Sequence, residues 1–250
     1  MKQFIAILGA VSEEIAGIKK AMNISDRTRL DKSDAWTGKW QGKDIVLVRT
    51  GVGRQRAKHA TRQVIEKFHP EVIISMGYAG ALITGLKVGD LFMADCILDA
   101  ENNSVSLEME NPLNLQWLDL AKNISLQDEA KIKVGKLVTV NSVIHTPTAK
   151  KDLGKQFGAE AVEMETVEIA LLARENKIPF LSVRGISDEV DHELIDSSSF
   201  LGDDGEISKL KAGWYVLTHP KSFKNALSLR SHTLIATRNL THCISQIISN

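Results

Sequence analysis

The stretch FIAILGAVSEEIAGIKKAM, residues 4–22, reads as a buried strand that turns directly into a helix. Residues 4–10 form an almost unbroken apolar run of strand length, the pattern of a strand covered on both faces. Ser12 reads as the N-cap of the helix that follows, and Glu13 and Glu14 open it, where acids suit the helix dipole. The same order recurs down the chain. DIVLVRTGVG (44–53) is a strand ending in a glycine loop. RQRAKHATRQVIEKF (54–68) is an amphipathic helix with Ala57, Ala60, Val64, Ile65 and Phe68 on one side. EVIISMGYAG (71–80), DLFMADCIL (90–98) and KLVTVNSVI (136–144) are further strands. VEIALLARENKI (167–178) is a helix, and PFLSVRGISDE (179–189) is a strand with a polar end. Alternation of this kind predicts an α/β fold, a sheet with helices on both faces.

Composition narrows the function. The 250 residues carry 31 basic and 31 acidic side chains, so no net field draws the protein to nucleic acid. Two distant cysteines, Cys96 and Cys243, make neither a disulfide framework nor a metal knuckle. The N-terminal apolar run is too short for a secretory signal, and no stretch approaches the roughly 18 apolar residues of a membrane span. The expectation is a soluble cytoplasmic protein of one domain, residues 1–250. Residues 207–250 are a basic helical C-terminal extension, with Lys209, Lys211, Lys221, Lys224, Arg230 and Arg238 and no acid after Glu206. It reads as one or two amphipathic helices interrupted near Pro220, with a solvated basic face.

In open α/β sheets, ligands bind beyond the carboxyl ends of the strands. Those ends here carry GAVSEE, TGVGRQR, MGYAGAL, VEMET and ISDEVD. AVEMETVEIA (161–170) sets Glu163, Glu165 and Glu168 among core-like residues, and at strand spacing Glu163 and Glu165 share a face. A soluble chain keeps Glu out of its interior unless the charge is paired or used. Each motif alone has a structural reading: a glycine turn, a dipole-favoured acid, a core methionine. Acids gathered at one rim raise at least one pKa, so one carboxyl can donate a proton while a neighbour stays charged. That division of labour suits cleavage of a glycosidic bond.

ILGAVSEE, SMGYAGALITGLKVGD, AVEMET and VRGISDEVD, in this order, resemble the nucleoside phosphorylase/nucleosidase family over residues 3–195. The likeness is greatest to its 5′-methylthioadenosine/S-adenosylhomocysteine nucleosidases. The resemblance implies a single three-layer α/β domain with a central mixed sheet, a homodimer, and a small-molecule nucleoside substrate, without cofactor or metal. By position it makes Glu14 the acid that activates water and Asp188 the acid that protonates purine N7, with Ser187 orienting it. Glu165 becomes the acceptor of the ribose hydroxyls, Met164 the side chain packed on the sugar, and Glu163 a neighbouring active-site acid. Tyr78 falls where the nucleosidases carry a small hydroxyl residue, Ala79 and Gly80 after it are expected to bind substrate too, and Val143 and Ile144 fall at the base-contacting strand end. Tyr78, Val143 and Asn141 depart from the nucleosidase pattern. The C-terminal stretch resembles the hopanoid-associated branch, which implies a lipid-linked adenosine and weak contact of the basic tail with an anionic membrane surface. Hydrolysis is favoured because the loop after the first strand is acidic and hostile to phosphate. Arg49, Arg54 and Arg56 keep a phosphorylase as the alternative. A nucleoside-binding protein without catalysis is the rival from another class.

Overall fold

The structure is a computed structural model that describes residues 3–126, 129–194 and 220–249, with side chains of the last segment described from residue 233. Its elements run β1 (Phe4–Gly9), α1 (Ser12–Ala21), β2 (Asn23–Leu30), β3 (Ser33–Trp40), β4 (Lys43–Arg49), α2 (Arg54–Phe68), β5 (Val72–Ala81) and β6 (Leu91–Asp99). Then follow β7 (Ser106–Glu108), α3 (Pro112–Ala121), β8 (Ile132–Thr139), α4 (Pro147–Phe157), β9 (Ala161–Glu163), α5 (Thr166–Glu175), β10 (Phe180–Asp188) and α6 (Pro220–Ser249).

One mixed sheet holds these strands in the order β10-β6-β8-β9-β5-β1-β4-β3-β2, and β7, off this path, pairs antiparallel with β6. An additional parallel pairing joins β10 to β5. Strands β5, β10, β6, β8 and β9 therefore close into a ring, and β1, β4, β3 and β2 extend from it as an open wing. Strand β5 pairs with β1 through residues 72–75 and with β9 through Gly80 and Ala81.

Side-chain alternation sorts the core into two layers. Ile5, Ile7, Ile45 and Leu47 face α1 and α6 in a cluster with Ile15, Ile18, Leu240, Cys243, Ile244 and Ile247. Ala6, Leu8, Val46 and Val48 face the other way, toward Ala57 and Val64 of α2 and Val167, Ala170 and Ala173 of α5. Strands buried on both faces read as continuous apolar runs, which is why β1, β4 and β5 were visible in the sequence. A third cluster joins Leu82, Val138, Val140, Ala159 and Val162, with Leu153 and Phe157 of α4 packed on it.

The structure departs from the sequence reading in several places; α3, α4 and the short strands β7 and β9 were also not read from the sequence. The hairpin β2–β3 was not anticipated. Its outer strand is mostly exposed and mostly polar, and an edge strand of that kind carries little apolar signal. The strand read at 136–144 lies at Ile132–Thr139, so Val143 and Ile144 belong to the loop after it. The N-cap of α1 is Val11, with Ser12 the first helical residue. Residue Glu165 is the N-cap of α5 rather than a strand position, so alternation does not relate it to Glu163. The C-terminal segment from residue 220 is one helix, α6, beginning at Pro220. Lys209 and Lys211 lie outside the described residues. Over residues 236–248 the apolar side of α6 is inside the domain, with Ala236, Leu240, Cys243, Ile244, Ile247 and Ile248 buried. No helix among the described residues is long and apolar enough to cross a membrane.

Candidate active site

The β1–α1 turn explains the burial of Glu14. Val11 has no side-chain acceptor with which to cap α1, and Glu14, at the third helical position, turns back to serve instead. Its Oε2 accepts the N–H groups of Ala10 at 2.6 Å and Val11 at 3.1 Å. Its Oε1 accepts the N–H of Tyr78, on β5, at 2.9 Å. Burial pushes the Glu14 carboxyl above its ordinary pKa, against the pull of Arg184 and of these three N–H groups. Glu13 stays exposed.

Glu165 comes to the same place from another direction. Its Oε1 accepts the N–H of Gly53, the N-cap of α2, at 2.7 Å. Burial raises its pKa to about 8; repulsion from Glu163 and Glu14 adds to this, and Arg184 and the Gly53 N–H oppose it. Glu163 is held from all sides. It accepts the Thr139 hydroxyl at 2.6 Å and the N–H groups of Glu165 and Thr166 at 2.9 and 2.8 Å, which caps α5. Arg184 Nη2 adds a salt bridge at 3.1 Å. Glu168, the third acid of that stretch, is paired outward with Arg54 and Lys58.

Arg184, on β10, is the residue that sequence reasoning missed. It is 2% exposed and donates from Nη2 to Ser75 Oγ at 2.6 Å and to the Thr166 hydroxyl. Gly77 makes room for it. A Cβ there would stand 2.3 Å from Arg184 Nη1 and 2.6 Å from Glu14 Oε1. One guanidinium thus sits among three buried carboxyls: it pairs with Glu163 and pulls the pKa values of Glu14 and Glu165 downward. Its signal was a lone cation inside the apolar run PFLSVRGISDE.

Asp188 ends β10 after a bulge and lies in register with Gly80 of β5. Its Oδ1 accepts the Ser187 hydroxyl at 2.7 Å, and that hydroxyl also lies 3.4 Å from the Ala79 carbonyl. Its Oδ2 accepts the ammonium of Lys150, a second residue the sequence did not single out, at 2.5 Å. Two residues of β5 at strand spacing, Tyr78 and Gly80, therefore anchor Glu14 and Asp188 respectively.

Met164 and Ile144 are half-buried against the third core cluster, and Val143 is half-buried in the loop before α4. Tyr78 brings its backbone to Glu14 while its ring turns toward α6, with the hydroxyl 2.6 Å from Thr237 Oγ1. Burial pushes that hydroxyl's pKa up. Two of the arginines considered for phosphate are engaged within the chain. Arg49 pairs with Asp34 at 2.7 Å, and Arg54 spans both oxygens of Asp99 at 2.7 and 2.5 Å.

The family model described as the phosphorylase superfamily matches residues 4–209. The 5′-methylthioadenosine/S-adenosylhomocysteine nucleosidase of Staphylococcus epidermidis is 31% identical over 195 residues, 74% of this chain and 86% of its own length. That of Aeromonas salmonicida is 30% identical over 205 residues, 77% of this chain and 89% of its own. The solved nucleosidase from Neisseria meningitidis, in complex with methylthio-immucillin-A, is similar over 99% of both chains with a TM-score of 0.78 at 22% identity. The futalosine hydrolase of Helicobacter pylori has a TM-score of 0.75 at 20% identity, over 98% of this chain and 97% of that one. With the acids, the arginine and the strand-end geometry in place, these likenesses identify the chain as a member of the phosphorylase superfamily.

Proposed function

We propose that the protein is an N-ribosyl hydrolase that cleaves the glycosidic bond of an adenine nucleoside of the 5′-methylthioadenosine/S-adenosylhomocysteine type. The observation that carries this reading is the occupation of backbone N–H groups at two strand ends by the chain's own acidic side chains. Glu14 takes the N–H groups of the β1–α1 turn and of Tyr78, and Glu165 takes the N-cap N–H of α2. A helix N-terminus or a nest of N–H groups is where phosphate would sit. With both filled by carboxylates, water rather than phosphate is the nucleophile.

In this mechanism the C1′–N9 bond breaks and its electron pair passes into the purine ring. Asp188 gives a proton to N7, so the base departs neutral; a placed acid contributes about 10²–10⁴-fold. The Ser187 hydroxyl, with Oδ1 and the Ala79 carbonyl both in reach, can follow either protonation state of Asp188. Water adds to C1′ and loses its proton to Glu14, whose burial keeps it basic for a carboxylate. Glu165 accepts the ribose hydroxyls, and the carboxylate cluster stabilises the oxocarbenium-like sugar. Arg184 fixes Glu163 and, beside Gly77, balances the charge of Glu14.

The test is a nucleoside panel, varied in base and 5′ substituent, assayed for free base with and without phosphate. Release of adenine and a free sugar without phosphate is expected. Dependence on phosphate, with a sugar 1-phosphate as product, would sink the reading.

A further inference from the structure

Lys150 is 0% exposed, yet it carries an ammonium group on the inner side of α4. A buried charge persists only when paired and fully hydrogen-bonded. Its three donors meet three acceptors: Asp188 Oδ2 at 2.5 Å, the Glu189 carbonyl at 3.0 Å and the His192 carbonyl at 2.9 Å. The two carbonyls belong to the turn just after β10, so one side chain fastens both the Asp188 carboxyl and the loop that leaves it. On its other side Asp188 Oδ2 lies close against Gly80, only 2.9 Å from where a Cβ would stand. A second tie holds the same loop, from the Leu194 N–H to the His145 carbonyl at 2.9 Å, just ahead of α4.

We infer that Lys150 is a positioning residue for base departure: it occupies Oδ2 of Asp188 and so makes Oδ1 the oxygen that meets the purine. The inference rests on the hydrolase reading above. An ammonium with all three donors engaged cannot swing away, and the carboxyl plane is pinned between Lys150, Gly80 and Ser187. Without Lys150 the carboxyl can rotate and the turn at 189–192 loses its central donor. Misplacement by about 1 Å costs on the order of 10²-fold in rate. Lys150 reaches the substrate only through Asp188, so its loss acts on turnover and spares the grip on the nucleoside.

The experiment compares wild type with Lys150→Gln and Lys150→Met. It measures kcat and KM for adenine release, and the Kd for a carbocyclic adenosine analogue in which CH₂ replaces the ring oxygen, leaving N7 intact but no oxocarbenium accessible. Expected is a fall in kcat of about 10²-fold in both variants, with analogue Kd and KM within threefold of wild type. Three results overturn the proposal: kcat within threefold of wild type, analogue affinity falling in step with kcat, or loss of cooperative melting in both variants. Absence of base release by the wild type itself refutes the hydrolase reading instead.

Discussion

The carboxylate of Glu165 accepts the N–H of Gly53 at 2.7 Å, although the two residues stand 112 positions apart in the chain. This bond seals the N-terminus of α2 with an internal acid and sets that acid between Glu163 and Glu14, both of which raise its pKa.

The Glu165 carboxyl rises to about 8 in the folded protein from an ordinary value of 4.5. A raised acid binds its proton more tightly when folded, so it supports the fold below the unfolded pKa, and that support is lost as pH climbs toward 8. Wild type should melt at a lower temperature at pH 8 than at pH 5. Glu165→Gln should flatten that difference by several degrees and weaken substrate binding. Melting curves of both proteins at the two pH values decide it, and a parallel fall in both excludes Glu165 as the cause.

Glu14→Gln faces a geometric conflict. Two N–H groups point at Oε2 and a third at Oε1, so either orientation of the amide sets its NH₂ against at least one donor. An unsatisfied buried donor costs about 1–3 kcal/mol. The variant should lose stability of that order and at least about 10²-fold in kcat. A variant as active as wild type would remove Glu14 from the water-activating role.

Asp188→Asn keeps the shape of the side chain but cannot deliver a proton. Base release should fall by about 10²–10⁴-fold while the carbocyclic analogue still binds. The 7-deaza nucleoside, which has no N7 acceptor, should resist cleavage by the wild-type protein. Rapid cleavage of that analogue would show that N7 protonation is not used.

Gly77→Ala puts a methyl against Arg184 Nη1 and Glu14 Oε1. Both partners are buried and held by other bonds, so neither can retreat freely. Overpacking of this kind costs about 1–3 kcal/mol, and kcat should fall together with stability. Retention of both would mean the arginine and the acid are less constrained than their bonds imply.

Much of this was legible before the fold was seen. The strands buried on both faces announce themselves as apolar runs, and α2, Arg54–Phe68, begins and ends where its periodicity does. Glu14 and Glu165, from two separate strand ends, lie close enough for one to raise the pKa of the other, and Asp188 lies beside Gly80, two residues along β5 from the Tyr78 that holds Glu14. What stayed hidden has a common cause. Arg184 and Lys150 are cations whose burial depends on partners far along the chain, and local pattern cannot supply those partners. Lys150 did share an inward stripe with Leu153, Gly154 and Phe157, but Lys151 beside it looks the same in the sequence. Glu163 and Glu165 were grouped by strand alternation, whereas the actual link is a helix cap, in which Glu163 takes the N–H of Glu165. The edge hairpin escaped because its outer strand, β2, is exposed, and because β3, though mostly buried, mixes polar residues with its two tryptophans.

Strand β5 belongs at once to the ring and to the wing, and this has a consequence for how the molecule is assembled. Its partner β10 emerges long after β5 and β6 and must slot between them, a distant closure of the type that slows folding. Until that late insertion, Asp188 and Arg184 are elsewhere, and a nascent chain holds Glu14, Glu163 and Glu165 without their shared counter-ion. Catalytic competence should therefore appear in a single step, on arrival of β10, with no half-built enzyme before it.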